Sequence, residues 1–219
     1  MSIPIVEIFS SIEGEGWRSG YLCTFIRIAG CNLRCSYCDT TYSFDVAHAK
    51  RMTIEEICEQ VEQLGCKFVT ITGGEPLLQG ELNQLVRSLL QQHCHINIET
   101  NGALDITNIE RFAFEPLFFT VDWKSPSSGA NQEMFVPNLY NIQSCDVLKF
   151  VVGSHDDLNE MLRVLTAHRI EARAIYVSPV FGQIQLVEIV DFLKQHKLQQ
   201  VRLQIQLHKI VWDPNERGV

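Results

Sequence analysis

The chain has no stretch near the ~20 consecutive apolar residues of a bilayer-spanning helix. Its start, Met1-Ser2-Ile3-Pro4, lacks the basic-then-apolar pattern of an export leader. Both absences lead us to expect a cytoplasmic protein. Basic charge is also short: 18 Lys and Arg stand against 26 Asp and Glu, a net charge of −8, and no more than two basic residues are adjacent. Nucleic-acid surfaces displace counterions with a basic stripe, so this balance excludes a large one and points to a small-molecule ligand. Repeats, linkers and low-complexity runs are missing too. What is left is a single domain, residues 1–219, long enough to bury a substantial core. Its 46% hydrophobic and 20% charged content is that of a globular chain, not a disordered one.

Cysteine, by contrast, is plentiful, with eight in the chain. Without an export signal they read as thiols or metal ligands rather than disulfides. Cys23, Cys58, Cys66, Cys94 and Cys145 stand singly among apolar residues and read as core packing. The other three lie together in Gly30-Cys31-Asn32-Leu33-Arg34-Cys35-Ser36-Tyr37-Cys38-Asp39. A C-x3-C-x2-C loop supplies three thiolates and no fourth, which on a four-iron, four-sulfur (4Fe-4S) cube leaves one iron open. Structural zinc is the alternative. It closes with four ligands, for which Cys23, His48, Cys58 and Cys66 are nearby, although no second C-x-x-C pair exists. On spacing alone both stay open.

Short β-branched and aromatic runs alternate with helix-period segments, which predicts a parallel sheet with crossover helices. The expected strands are Leu22–Ile28, Phe68–Thr72, His95–Glu99, Phe118–Asp122, Val147–Val152, Ala174–Val177 and Val201–Ile205. The expected helices are Ile54–Leu64, opened by a Thr53/Glu56 capping box, Leu82–Gln92, Asp157–His168 and Leu186–His196, with a short one over Asp105–Ala113. Ser125–Asn141 reads as loop. Six or seven such units are too few for a closed eight-fold barrel of ~250 residues, so the expected fold is α/β, a partial, open β/α barrel. Ligands gather at the carboxyl ends of such strands. There the sequence has the cysteine loop, then Thr72-Gly73-Gly74-Glu75-Pro76, Glu99-Thr100-Asn101-Gly102, Asp122-Trp123-Lys124 and Ser178-Pro179. Paired glycines after a strand let a backbone come close to a ligand, because no Cβ stands in the way.

The cysteine loop, with an aromatic before its last cysteine and a Gly-Gly-Glu-Pro turn on the next strand, resembles the radical S-adenosylmethionine (SAM) superfamily. That resemblance implies a 4Fe-4S cluster on Cys31, Cys35 and Cys38, whose open iron takes the amino and carboxylate groups of SAM. It implies cofactor contacts at Tyr37, Cys38, Asp39, Gly74, Glu75, Glu99, Asp122, Lys124 and Ser178. Glu99 would hold the ribose hydroxyls and Lys124 the methionine carboxylate. Several relatives have Ser-Pro-Lys where this chain has Asp122-Trp123-Lys124, and some have glutamine at Ser178. No catalytic side chain is implied beyond cluster and cofactor.

Ile8-Phe9-Ser10-Ser11-Ile12-Glu13-Gly14-Glu15-Gly16, Arg27, and Asp39-Thr40 after the cluster loop extend the likeness. Together they resemble the 7-carboxy-7-deazaguanine synthase family over essentially the whole chain. That family turns 6-carboxy-5,6,7,8-tetrahydropterin into 7-carboxy-7-deazaguanine with loss of ammonia, for queuosine and related deazapurines. The resemblance implies Mg²⁺ at Thr40, and substrate contacts at Ile12, Glu13, Gly14, Glu15, Arg27, Thr72 and His208, with Val219 a weaker candidate. A pterin edge suits a carboxylate, and a carboxylate suits the guanidinium fork of Arg27. The resemblance also implies a homodimer and an external one-electron donor of flavodoxin or ferredoxin type. The rivals are a glycyl-radical-enzyme activase, which shares the cysteine spacing, and a zinc-stapled interaction module without catalysis.

Overall fold

A computed structural model of the chain describes residues 2–111, 116–213 and 216–218. Among the described residues nine strands form one sheet: β1 (Ser2–Ile12), β2 (Leu22–Ile28), β3 (Lys50–Thr53), β4 (Phe68–Gly73), β5 (His95–Thr100), β6 (Leu117–Trp123), β7 (Val147–Val152), β8 (Ala174–Pro179) and β9 (Val201–Leu203). The helices are α1 (Ile54–Leu64), α2 (Leu82–Gln91), α3 (Asn138–Asn141), α4 (His155–Ala167), α5 (Leu186–Gln195) and α6 (His208–Val211). Strand order is β3-β1-β2-β4-β5-β6-β7-β8-β9. From β2 to β9 every pairing is parallel, while β1 pairs antiparallel with both β2 and β3. This is the expected open α/β barrel. No described helix is long and apolar enough to cross a membrane.

Local chemistry sets the helix ends. Thr53 Oγ1 accepts from Glu56 N at 3.2 Å and Thr53 N donates to Glu56 Oε2 at 2.7 Å, the predicted capping box. Gly65, at φ 74°, stops α1 in the left-handed region where a side chain would be strained. Ser154 and Asp157 make the same box for α4, so that helix starts at His155, two residues before its expected Asp157.

The central strands alternate apolar and polar residues. Ile71, Ile98, Val121 and Phe150 belong to the buried apolar core. Between them stand Thr70 and Thr72 on β4, Asn97 and Glu99 on β5, Thr120 and Asp122 on β6, and Lys149 on β7. Alternate residues face opposite sides of a strand, so β4, β5 and β6 are apolar on the helix side and carry polar residues on the side the sheet curls around, while Val147, Ala174 and Tyr176 make a small apolar cluster on that inner side at β7 and β8.

Four expectations are corrected. The expected strands begin at Leu22, yet Ser2–Ile12 forms β1, an eleven-residue strand with a register shift between Ile5 and Glu7. β3 is short and starts Lys-Arg, as suits a sheet edge, and hydropathy alone passes it over. β9 stops at Leu203 because Gln204 turns away to exchange two hydrogen bonds with Gly16, at 2.7 and 2.9 Å. Of the helix over Asp105–Ala113, the described part holds only a 3₁₀ turn at Ile106–Asn108, and Ala113 lies outside the described residues.

Candidate active site

The cysteine loop leaves the carboxyl end of β2 and is fastened on both sides. Gly74 N donates to Ile28 O at 3.0 Å, Glu75 N to Gly30 O at 2.8 Å and Gly30 N to Ser43 O at 2.7 Å. These bonds give the glycine pair a different reason from the expected one. A Cβ on Gly74 would lie 2.0 Å from Gly30 O, and one on Gly73 2.1 Å from Ile28 O. The backbone that comes so close is the cysteine loop's own. On the far side Ser36 N donates to Ser128 O at 3.0 Å and the Ser36 hydroxyl donates to Ser127 O. Ser127 N in turn donates to Asp157 Oδ1 at 2.8 Å, so the N-terminus of α4 braces the loop.

Glu75, expected as a cofactor contact, is fully buried and does not line the cavity. Its carboxylate accepts from Leu77 N at 3.0 Å, Thr100 Oγ1 at 2.9 Å and Asn101 N at 2.7 Å. Burial pushes its carboxyl up to about 7, against these three donors. The side chain thus ties the loop to the end of β5. Asn101, which sequence reasoning passed over, donates to Asn32 Oδ1 at 2.9 Å from inside the same junction.

Inside the curled sheet is a cavity of about 740 Å³, within the size range of small-molecule and cofactor sites. Its wall carries all three loop cysteines with Tyr37, Asp39 and Thr40. Thr72, Gly74, Glu99, Asp122 and Lys124 come to it from the strand ends. Ile12, Glu13, Gly14, Glu15, Arg27 and His208 complete the expected set, and Lys149 and Arg217 are additional. Ser178 is fully buried and does not line the cavity, and its hydroxyl has no partner among the described residues. Val219 lies outside the described residues.

Ile12–Glu15 do not reach the cavity from the carboxyl ends. Antiparallel β1 sets Ile12 opposite Leu22, the first residue of β2, so these residues approach from the opposite end of the parallel strands. Leu207 N donates to Gly14 O at 3.1 Å, which joins this loop to the segment after β9 across the open side of the barrel. His208 packs against Gly14, and burial lowers its imidazole below the usual range.

Charge inside the barrel is paired. Arg18, 2% exposed, donates to Glu13 Oε2 at 3.1 Å, Thr70 Oγ1 at 2.8 Å, Val69 O at 3.2 Å and His95 O at 3.0 Å. Its guanidinium lies over the rings of Phe68 and Phe118. Burial and neighbouring Glu99 raise the Glu13 carboxyl to about 7, against Arg18 and Thr70. Lys149 Nζ is 2.6 Å from Glu15 Oε2, and Lys124 Nζ 2.9 Å from Asp122 Oδ2. Burial works against both ammonium charges, but nearby Glu15 and Asp122 outweigh it and hold each lysine above its usual range. Glu99 Oε2 accepts from Thr72 Oγ1 at 2.7 Å. Arg27, expected to hold a substrate carboxylate, donates from Nε to Glu7 Oε1 at 2.7 Å. Lys209 from α6 pairs with Asp39 at 2.9 Å; although burial raises it, Lys209 and Thr40 hold Asp39 down at about 2.

The site suits a cluster and a sulfonium nucleoside better than a zinc staple. All eight cysteines are free, and the loop's three line the cavity. Of the zinc candidates, Cys23 and Cys58 are core residues, the Cys66 thiol donates to Leu22 O and His48 pairs with Asp45. Among the described residues, cavity-lining Tyr37 Oη, Asp122 Oδ1 and Glu15 Oε1 are buried without partners, as groups awaiting a ligand would be.

Fold and site together define a radical SAM enzyme, and residues 25–193 match the family model described as the Radical SAM superfamily. Along its full length the chain is 45% identical to the 7-carboxy-7-deazaguanine synthase of Clostridium acetobutylicum, covering 100% of both chains. It is 36% identical to the synthase of Chlorobaculum tepidum, over 99% of this chain and 97% of that one. The crystal structure of QueE from Escherichia coli superposes with a TM-score of 0.75 over 95% of each chain at 23% identity, a likeness of fold. The chain belongs to the 7-carboxy-7-deazaguanine synthase family. It is a lyase, and a 4Fe-4S cluster and SAM come with the superfamily.

Proposed function

We propose that residues 1–219 form a single radical SAM core domain that converts 6-carboxy-5,6,7,8-tetrahydropterin to 7-carboxy-7-deazaguanine with loss of ammonia. The observation that carries this reading is that one cavity gathers the three loop cysteines, Glu99 and Lys124 with Glu13 and Glu15 from the loop after β1 and Arg27 from β2. Cys31, Cys35 and Cys38 would hold the cluster, and Tyr37, Asp39, Gly74, Glu99, Asp122 and Lys124 would hold SAM. When bound, they supply a 5′-deoxyadenosyl radical able to take hydrogen from an unactivated carbon.

The chain's own residues bind, orient and exclude water. Glu13 and Glu15 read the pterin edge, Arg27 the 6-carboxylate, and Thr72 and His208 flank the ring. The loop from Glu13 to Tyr21 closes on itself through Glu13 N to Tyr21 O and Gly20 N to Glu13 O, both 2.8 Å. Buried Arg18 and Glu13 fill the space beneath the ligands and keep water from entering there.

Thr40 is the candidate for Mg²⁺. Thr40 Oγ1 donates to Asp39 Oδ1 at 3.0 Å and keeps acceptor capacity for a cation, and few protein ligands completed by substrate and water suit magnesium. The remaining elements of this reading are a homodimer and a flavodoxin- or ferredoxin-type electron donor. The test is anaerobic turnover of reconstituted enzyme with dithionite, Mg²⁺, SAM and 6-carboxytetrahydropterin, read by mass spectrometry. Formation of 7-carboxy-7-deazaguanine is expected. Only 5′-deoxyadenosine would leave the radical chemistry and remove the substrate.

A further inference from the structure

Lys149 is charged, 8% exposed and in the middle of a core strand, and no motif of the family resemblance accounts for it. It stands opposite Asp122 on β6 and Tyr176 on β8, and its side chain reaches into the cavity. Its Nζ meets Glu15 Oε2 at 2.6 Å, a contact spanning 134 residues of sequence. Glu15 Oε1, on the same carboxylate, is buried with no partner among the described residues. A buried ion pair is costly unless its remaining lone pairs and protons are satisfied, and here an acceptor oxygen is left over beside an ammonium that still has two donors.

We infer that Glu15 and Lys149 form one acceptor–donor couple that reads the 4-oxo, N3–H edge of the substrate's pyrimidine ring and so sets the enzyme's specificity for 2-amino-4-oxo over 2,4-diamino pteridines. This deepens the proposed pterin reading and rests on it. Glu15 Oε1 accepts from the ring N–H, and Lys149 donates to the adjoining carbonyl oxygen. A 2,4-diamino ring offers the reverse pattern: a bare ring nitrogen faces the carboxylate and an amino group faces the ammonium. Both mismatches leave buried polar groups unpaired, the situation in which a hydrogen-bonding site discriminates most strongly. The pair also comes from two distant elements, β7 and the loop after β1. Pairing fixes the carboxylate before ligand arrives, so little ordering is left for binding.

The test is calorimetric titration of the anaerobically reconstituted enzyme with 6-carboxypterin and with its 2,4-diamino counterpart. Wild type should prefer the 4-oxo ligand by at least about 100-fold. Lys149→Gln, whose amide can turn to accept, should cut that ratio by about 10- to 100-fold and leave SAM affinity unchanged. Glu15→Gln, a neutral isostere, should relax the ratio in the same direction and covers the case in which Lys149→Gln does not fold. An unchanged ratio in the folded variants overturns the inference, as does a matching loss of SAM affinity in Lys149→Gln, which would assign the lysine to the cofactor. Wild type that turns over the tetrahydropterin yet binds both pteridines equally sinks the couple and spares the proposed function. Discrimination that relaxes in the variants, in an enzyme forming no deazaguanine, does the opposite.

Discussion

Replacing Gly74 by alanine should dislodge the cysteine loop and leave the rest of the sheet standing. The added Cβ would lie 2.0 Å from Gly30 O, 2.5 Å from Gly30 C and 3.0 Å from Cys31 Cβ, where ordinary contact begins at 3.4 Å. All three neighbours are close to the main chain of the loop, so no flexible side chain can give way. Relief requires moving Gly30 and Cys31 by more than an ångström, which stretches the bonds from Glu75 N to Gly30 O and from Gly74 N to Ile28 O. Overpacking costs roughly 1–3 kcal/mol and two weakened backbone bonds about 1 kcal/mol each, so the loss is on the order of 3–5 kcal/mol. A domain with ~5–15 kcal/mol in hand stays folded under that loss. The assay pairs urea unfolding with iron and sulfide content after anaerobic reconstitution, using Gly80→Ala as control because a Cβ there meets nothing within 4 Å. We expect a lowered midpoint and little bound iron in Gly74→Ala, with Gly80→Ala near wild type. A Gly74→Ala protein with a full cluster and an unmoved midpoint would refute the steric argument.

Cys31→Ala, Cys35→Ala and Cys38→Ala should each abolish stable iron binding and SAM cleavage, whereas Cys145→Ala should keep both; the readouts are iron content and 5′-deoxyadenosine. Arg18→Met strips the charge from a site 2% exposed and leaves Glu13 without its partner, which should cost about 3–5 kcal/mol in urea unfolding; a loss under 1 kcal/mol would mean the pair is not buried in solution. Glu13 has its carboxyl raised from 4.5 to about 7, so the folded state holds the proton more tightly than the unfolded chain. Its contribution is full below about pH 4.5 and is lost as pH rises through 7, on the order of 3 kcal/mol. Glu75 slopes the same way, so the measure is the difference in unfolding free energy between wild type and Glu13→Gln at pH 5 and pH 8, and a parallel pair of curves would remove Glu13 from the account. Thr40→Ala should lower turnover and its response to Mg²⁺ while iron content holds, and an undiminished magnesium response takes Thr40 out of the metal site.

By itself the sequence determined what is local. The cysteine spacing and the Thr53/Glu56 capping box each act within a few residues, so their geometry follows from the order of the chain. Apolar runs located β2 and the strands from β4 to β9, because a strand packed under helices needs an apolar residue at every second position whatever its neighbours are. The intervening residues, in Thr70-Ile71-Thr72, Asn97-Ile98-Glu99 and Thr120-Val121-Asp122, carried a further signal: polar side chains alternating within buried strands mark a barrel with a ligand-holding interior.

Only the tertiary structure decided the rest. β1 became a strand because β2 and β3 offer it partners on both sides, and Ile12–Glu15 reached the cavity from the end opposite the cysteines because that pairing is antiparallel. Glu75 turned from an expected ligand into a brace when Asn101 and Thr100 closed around it. Arg18 meets Val69 and His95, and Lys149 meets Glu15, across gaps of 51, 77 and 134 residues. A charged side chain reads as solvated surface until folding removes its water, and which partner then compensates the buried charge depends on the elements that come together in space, not on neighbours in sequence.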